Sequence, residues 1–358
     1  MSSTKDRIQQ IAETYAQDEL SKWTGSFSRD DLHHWLSTEL GSDTALDQYQ
    51  PHGPLQSKAV APANILHIVS GNTAHAAHQS LLRGLILGSH NVVKIPSAGL
   101  PDFTDSLDQF PEELRKRIEV HRELSDEHWS RADAVVAIGS DESIATIHQK
   151  LRADQTFIPH MHKVSLGVVY EDFGPAARLA ARDISLYNQQ GCLSLHAVYV
   201  SGDSKAFASA LAEEMAAFAR ENPADTLNTS EAGAIRNTRE NARFCSANDQ
   251  QTQLWESEDS LEWTVIHEPS PKLKLSCLNR CVYVKPLPTE FDTSTLGPQS
   301  QHLSTIALHP FNRANALKLE QLPAHRICPL GQSQQPSLYW HHDGFTPLAS
   351  LVKWKDIG

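Results

Sequence analysis

Apolar positions in the first part of the chain recur close to helical spacing, with Ile8, Ile11, Ala12, Tyr15 and Leu20 falling on one face. The pattern then loosens into "DQYQPHGPLQSK" (47–58), which reads as a connector rich in turn formers. From Ala63 the texture changes to short β-rich runs: "NILHIV" (64–69), "NVVKI" (91–95), "ADAVVAI" (132–138), "VSLGVV" (164–169), "HAVYV" (196–200) and "CVYVK" (281–285). Helical patterns separate several of them. The clearest is the stripe Phe207, Leu211, Met215, Phe218. Residues 286–302 read as a loop or an arm. Strand and helix in alternation predict βαβ units on a mostly parallel sheet. "FIPH" and "YEDFG" interrupt the alternation and place a domain boundary in the region 155–190.

Composition narrows the classes. A chain of 358 residues has room for two domains, and 40% hydrophobic with 21% charged residues is ordinary for a globular protein. The formal charge of −12 argues against nucleic acid as a partner, since phosphate binding needs a clustered basic face. No apolar run approaches the roughly 20 residues of a membrane span. The opening "MSSTKDRIQQIAETYAQDEL" has no apolar core after its first charges, so no signal peptide is read there. Five cysteines, at 192, 245, 277, 281 and 328, are odd in number and widely spread, which fits a reducing compartment. The expectation is a cytoplasmic protein without a membrane span.

In an open α/β sheet, ligands bind at the carboxyl ends of strands, where helix N-termini offer free N–H donors. Three such corners carry small or polar residues: 67–84 ("HIVSGNTAHAAHQSLLRG"), 92–99 ("VVKIPSAG") and 135–147 ("VVAIGSDESIATI"). Gly139 and Ser140 open a helix after a strand, either as a plain capped start or as a phosphate cradle. There is no GxGxxG, so a dinucleotide must be held in another way. Lys94 ends an apolar strand and suits a phosphate or ribose. Asn72 is either an Asx-turn residue or an amide donor to an oxyanion. Cys192 follows a polar Asn-Gln-Gln-Gly turn and precedes a strand, which is where a nucleophile is presented. The other four cysteines read as small core residues. Cys277 and Cys281 are four apart with no second ligand pair, so no metal site is expected.

In order and separation, "SGN", "NVVKIPS", "AIGSDES" and "NQQGC" resemble the aldehyde dehydrogenase superfamily. More specifically, "LLRGLILGSHNVVKIPS" (81–97) and the C-terminal "RICPLGQSQQPSLYWHHDG" (326–344) resemble the acyl-CoA reductases related to the LuxC-type fatty acid reductase of bacterial luminescence, over residues 60–350. The resemblance implies an α/β, aldehyde-dehydrogenase-like fold: two Rossmann-like parallel-sheet domains with the active site between them. Residues 1–160 would be a helical lead-in and nicotinamide-cofactor domain, and 161–335 a catalytic domain. Residues 336–358 would be a tail that returns to the cofactor domain or forms an oligomer interface.

Carried over, the resemblance makes Cys192 the nucleophile and Asn72 the side-chain oxyanion donor, acting with the backbone N–H of Cys192. Lys94 and Ser97 touch the ribose or phosphate of NADPH, with NADH as the alternative, and Gly139 and Ser140 cap the helix beneath its pyrophosphate. Oxidative aldehyde dehydrogenases carry a glutamate before the cysteine as base for hydrolysis. Here 157–167, "FIPHMHKVSLG", has no acidic residue, and His160 and His162 lie in its place. The glutamate that holds the nicotinamide ribose in the superfamily has no clear counterpart, with Glu290 as a candidate. The implied activity is reduction of an acyl thioester, delivered by coenzyme A or an acyl-carrier protein, to an aldehyde through an acyl-cysteine. An acyltransferase or thioesterase using Cys192 without hydride transfer, or a non-catalytic acyl-binding subunit, are the rival readings. The partners to expect are a second copy of the chain or an acyl-supplying enzyme.

Overall fold

The lead-in becomes three helices, α1 (Thr4–Tyr15), α2 (Asp18–Thr24) and α3 (Arg29–Leu40), in a computed structural model that describes residues 3–69, 74–249 and 251–358. Ser3 and Ser28 start α1 and α3 with capping boxes closed by Asp6 and Asp31. Ile8, Ile11 and Leu36 are fully buried, as the spacing requires. The chain divides into two units, residues 1–162 with 337–358, and residues 163–336.

The first unit contains a hairpin where the sequence reads as a connector. β1 (Gln50–His52) pairs with β2 (Leu55–Val60) across the loop Gly53-Pro54. Gly53 has the positive φ, 56°, that two-residue hairpin loops demand. The C-terminal strand, Lys353–Ile357, adds to β2 antiparallel and completes a three-stranded sheet.

The main sheet of this unit is parallel. Its strands are β3 (Asn64–Ile68), β4 (His90–Lys94), β5 (Ile118–His121), β6 (Ala134–Ile138) and β7 (Thr156–His160), in spatial order β5-β4-β3-β6-β7. The order reverses between β3 and β6, and at that switch point ligands bind in doubly wound sheets. Helices α4 (Ala74–Leu87), α5 (Pro101–Ser106), α6 (Glu112–Arg115), α7 (Asp126–Arg131) and α8 (Asp141–His148) connect the strands.

Helix α4 is buried along most of its length because it lies close against the sheet. A Cβ on Gly84 would fall 1.8 Å from Asn91 Oδ1, so glycine is needed at this crossing. Beneath it the His67 ring bridges Ser80 Oγ (2.7 Å) and Asn91 Oδ1 (3.0 Å). Burial lowers the His67 pKa to about 4 and keeps the ring neutral.

The second unit is built on seven strands, β8 (Val164–Val169), β9 (Leu195–Val200), β10 (Gln253–Glu256), β11 (Thr264–His267), β12 (Cys281–Pro286), β13 (Leu303–His309) and β14 (Arg326–Pro329). Their order is β10-β11-β12-β9-β8-β13-β14, parallel except for β10. Every residue of β8 and β9 is buried, which is why both read as continuous apolar runs. Helices α9 (Phe173–Ser185) and α10 (Ser204–Glu221) cover one face, with Phe207, Leu211 and Met215 fully buried. Each such side chain contributes roughly 1.5–3 kcal/mol. On the other face Ala242 of α11 (Thr229–Asp249) packs with the residues that follow β13. The arm read at 286–302 holds a short helix, α12 (Thr293–Leu296), and a 3-10 turn, and α13 (Arg313–Leu317) follows β13. No helix among the described residues is long and apolar enough to cross a membrane.

Candidate active site

Cys192 stands on the turn that feeds the amino end of β9. The backbone before it is unusual: Tyr187, Asn188 and Gln189 are all left-handed, with φ of 53°, 50° and 62°. Non-glycine residues held there cost on the order of 1–3 kcal/mol each and persist only where the surroundings fix them. Gln189 is the fixing group. It is fully buried, and its Nε2 donates to Leu195 O (2.7 Å), Cys281 O (2.8 Å) and Ser276 Oγ (3.2 Å), while Oε1 accepts from Cys281 N (2.8 Å). Gln190 Nε2 donates to Asn279 Oδ1 at 2.9 Å, in a second left-handed run, Leu278 to Arg280.

The far side of the turn is held by the loop after β14. Gln334 Nε2 donates to Ser194 Oγ, and a Cβ on Gly191 would sit 2.8 Å from Gln334 Oε1. That loop is itself seated on Asp183 of α9, which accepts from Gly331 N (2.7 Å) and Ser333 N (3.1 Å). Burial pushes the Asp183 carboxyl up to about 6. Ser165 Oγ on β8 donates to Cys192 O at 3.3 Å. Within this frame the Cys192 side chain is exposed and in no disulfide.

Of the other cysteines, Cys281 and Cys328 are buried, and burial pushes Cys328 up to about 12. Cys277 is half-buried and hydrogen-bonded by the Cys281 thiol, which lowers it to about 7 and raises Cys281. Cys245 is exposed on α11, away from any such turn.

In the first unit, the carboxyl ends of β3, β4 and β6 open a cleft of about 540 Å3. Lys94, Gly139 and Ser140 line it, three of the four positions expected to hold a nicotinamide nucleotide. Its apolar wall is made by Leu124, Trp129 and Ile147. Ser140 caps α8, accepting from Ser143 N at 3.3 Å, and Gly139 N donates to His160 O at 3.1 Å. Glu142, in the first turn of α8, also faces the cleft. Ser97 does not line it; it is exposed on the turn beyond β4. Asn72 lies outside the described residues.

The two histidines have other surroundings than expected. His160 ends β7 and is 2% exposed. Its Nδ1 lies 2.8 Å from Asp343 Oδ2, its Nε2 3.4 Å from Arg83 Nη1, and its ring stacks at 3.8 Å on His342. Arg83 Nη2 also meets His342 Nδ1 at 2.9 Å, and burial pulls the guanidinium down to about 10, still charged. Both ring nitrogens of His160 are engaged and the ring is buried against the tail. His162 is exposed in the connector after β7, where its backbone N–H donates to Asp141 Oδ1 at 3.0 Å. The tail residues Trp340 to Gly344 are explained by the same network: Trp340 stacks on His342, and His342 and Asp343 are buried in the first unit. Tyr339 Oη donates to Asp31 O at 3.2 Å beside them.

The family model described as acyl-CoA reductase (LuxC) matches residues 3–354. The chain belongs to this family. The reductase is 25% identical over 347 residues to long-chain acyl-protein thioester reductase 2 of Photobacterium leiognathi, covering 91% of this chain and 70% of that one. It is 24% identical over 348 residues to the long-chain acyl-protein thioester reductase of Aliivibrio fischeri, at the same coverage. As a member of the family it is an oxidoreductase acting on acyl thioesters.

Among solved structures, an NAD-dependent benzaldehyde dehydrogenase from Corynebacterium glutamicum superposes with a TM-score of 0.67 at 14% identity, covering 99% of this chain and 85% of that one. Betaine aldehyde dehydrogenase from Staphylococcus aureus, solved in complex with NAD+, gives 0.66 at 14% identity, with 99% and 82% covered. The reductase has the aldehyde dehydrogenase fold.

One expected residue of the reductase is misplaced on topological grounds. Glu290 follows the carboxyl end of β12, whereas Cys192 precedes the amino end of the parallel neighbour β9. Six residues of strand separate the two ends, about 20 Å. Glu290 therefore does not stand at the Cys192 end of the sheet. Asn279 and Arg280 at the amino end of β12 and Lys163 before β8 stand at that end, beside the braces Gln189 and Gln334.

Proposed function

We propose that the reductase converts an acyl thioester to an aldehyde through a covalent acyl-cysteine on Cys192, using NADPH. The carrying observation is the exposed Cys192 on a turn whose strained backbone is held from three sides. In this reading the Cys192 thiolate attacks the thioester carbonyl, the carbon–sulfur bond to the carrier breaks, and the carrier thiol leaves with a proton. The backbone N–H of Cys192 and the Asn72 amide donate to the oxyanion. NADPH, when bound, supplies a hydride to the acyl carbon. The resulting thiohemiacetal collapses to the aldehyde and returns the thiolate.

The cleft at the switch point fits a nicotinamide nucleotide in its parts. Ser140 and the start of α8 offer N–H donors to a pyrophosphate, and the slab of Leu124, Trp129 and Ile147 takes a base. Lys94 ends the second strand, where an acid would bind a ribose 2′-hydroxyl, and its cation suits a 2′-phosphate instead. That supports NADPH over NADH. The absence of an acidic residue in 157–167, where oxidative relatives carry the base for hydrolysis, favours reduction over hydrolysis.

The test is intact-protein mass after mixing with a panel of acyl-CoAs and acyl-carrier-protein thioesters, for wild type and Cys192→Ala. A gain equal to the acyl group, absent in the variant and discharged as aldehyde on adding NADPH, is the expected result. A gain that NADPH leaves in place means acyl transfer. No gain with any donor refutes the covalent route.

A further inference from the structure

A second cluster of ligating side chains lies at the open edge of the first unit's parallel sheet. Glu119 and His121 are two apart on the edge strand β5 and so share a face. Helix α7 brings His128 to them, with the His121 and His128 rings 4.3 Å apart. One ligand atom from each of Glu119, His121 and His128 lies within 4.8 Å of the other two.

The carboxylate is already divided between two tasks. Glu119 Oε1 accepts from Arg131 Nη2 at 3.1 Å and faces His90 Nε2 at 3.4 Å. Oε2 faces His121 Nε2 at 3.3 Å. His128 Nδ1 lies 2.9 Å from Ser125 Oγ and 3.0 Å from Ser125 N, so Nε2 is its coordinating nitrogen.

We propose that Glu119, His121 and His128 form a binding site for a zinc-class divalent ion. Two imidazoles and one carboxylate are the donor set of three-ligand zinc sites, which leave a fourth position for water. Imidazole selects Zn2+ and its neighbours Co2+, Ni2+ and Cu2+ over Mg2+ and Ca2+, which need oxygen ligands. Of the outer partners that orient metal ligands, Arg131 is in place on the carboxylate's other oxygen, and Ser125 Oγ, 2.9 Å from His128 Nδ1, is placed to accept once that nitrogen carries the proton. Coordination turns Nδ1 into a donor, so it exchanges the Ser125 N–H cap of α7 for a metal bond.

The position gives the ion a consequence. Leu124 lies in the segment between His121 and His128, Trp129 directly follows His128, and both line the 540 Å3 cleft. Occupancy therefore changes nucleotide affinity, and this second step alone rests on the nucleotide reading of the cleft.

The experiment is calorimetric titration of untagged, chelator-stripped protein with Zn2+ and, separately, Mg2+, for wild type, Glu119→Gln, His121→Asn and His128→Ala. Thiol sites are common to all four proteins and cancel in the comparison. Zn2+ binding that weakens at least about tenfold in each variant, with no Mg2+ binding, is expected. Unchanged isotherms in the variants, or no Zn2+ binding in wild type, overturn the site. Melting in chelator shows that the variants fold: a cooperative melt is expected of each, with midpoints only modestly lowered, since Glu119→Gln gives up its pair with Arg131 and His128→Ala the Ser125 N–H cap of α7. NADPH titration with and without Zn2+ then reads the linkage. An unchanged NADPH affinity at a saturated zinc site overturns the linkage, whereas no NADPH binding in either condition counts against the nucleotide reading and leaves the zinc result standing.

Discussion

Replacing Gln189 by glutamate tests whether the strained turn is held from beneath. The change is isosteric, but it removes the Nε2 donor from two carbonyls at 2.7 and 2.8 Å, Leu195 O and Cys281 O. A protonated glutamate restores one of those bonds, so the loss at low pH is roughly 1–2 kcal/mol. An ionised one has no donor and faces both carbonyl oxygens as an uncompensated buried charge, a loss of roughly 3–5 kcal/mol. The variant carboxyl is therefore raised in the folded state, and its destabilisation grows as pH rises above the ordinary glutamate range. Hydrogen exchange by mass spectrometry on peptides covering 186–200 and 276–286 reads the local opening. Relative to wild type at the same pH, exchange should be about tenfold faster at pH 5 and more than about a hundredfold faster at pH 8, at about 1.4 kcal/mol per decade. A change under threefold at both pH values would refute the bracing role. The longer bond from Cys281 N to Leu278 O, 3.2 Å, remains in the variant and keeps the effect local.

Four other outcomes follow from the geometry. Asp183, raised from 3.8 to about 6, is protonated in the folded state where the unfolded chain has already ionised; stability of the second unit should fall by about 3 kcal/mol as pH rises from about 4 to about 6, and Asp183→Asn should remove that slope in urea midpoints. Lys94→Ala should weaken NADPH more than NADH, by about tenfold in fluorescence titration, without moving the melting temperature; equal losses for both would count against a 2′-phosphate contact. Asp343→Ala removes the buried carboxylate bonded to His160 and one of the two that flank Arg83, and should cost roughly 3–5 kcal/mol in the first unit, while acyl-cysteine formation on Cys192 stays measurable below the melt. Asn72→Ala should cut turnover roughly a hundredfold, as loss of one oxyanion donor does, and a drop under threefold would remove it from that role.

The strands legible in the sequence were those buried on both faces, such as "VSLGVV" and "HAVYV", where an apolar run is long and uninterrupted. Most strands that escaped notice lie at edges or are short, although β13 (Leu303–His309) is buried, interior and seven residues long and was not read either. β7, "TFIPH", carries Pro159, which an edge strand tolerates because one side of its backbone has no ladder to join. β5, "IEVH", alternates with polar residues, two of which belong to the proposed zinc site. The β1–β2 hairpin hid behind its turn residues, although "HGP" is itself a loop signal. At the candidate site, local features were readable: a lysine ending a strand, a glycine-serine pair opening a helix, a cysteine on a polar turn. The braces were not. Gln189 bonds to Cys281, 92 residues away, Gln334 to Ser194 across 140 residues, and Asp183 to Gly331 across 148. No local pattern announces a partner at such distances. His160 misled for the opposite reason, since its place in the chain matched a catalytic position while its partners arrive from the tail.

The return of residues 337–358 to the first unit sets an order on biosynthesis. The second unit, 163–336, is continuous in the chain and can fold as soon as it clears the ribosome. The first cannot close then, because β2 still lacks its partner Lys353–Ile357 and Arg83 and His160 still lack Asp343. Until the tail emerges, the nascent chain holds an exposed sheet edge and an Arg83–His160 pair lacking one of its carboxylates, in front of a finished domain. A chaperone that shields strand edges would find its substrate in that interval, and a stop codon late in the message would leave the first unit unfinished while the second stands complete.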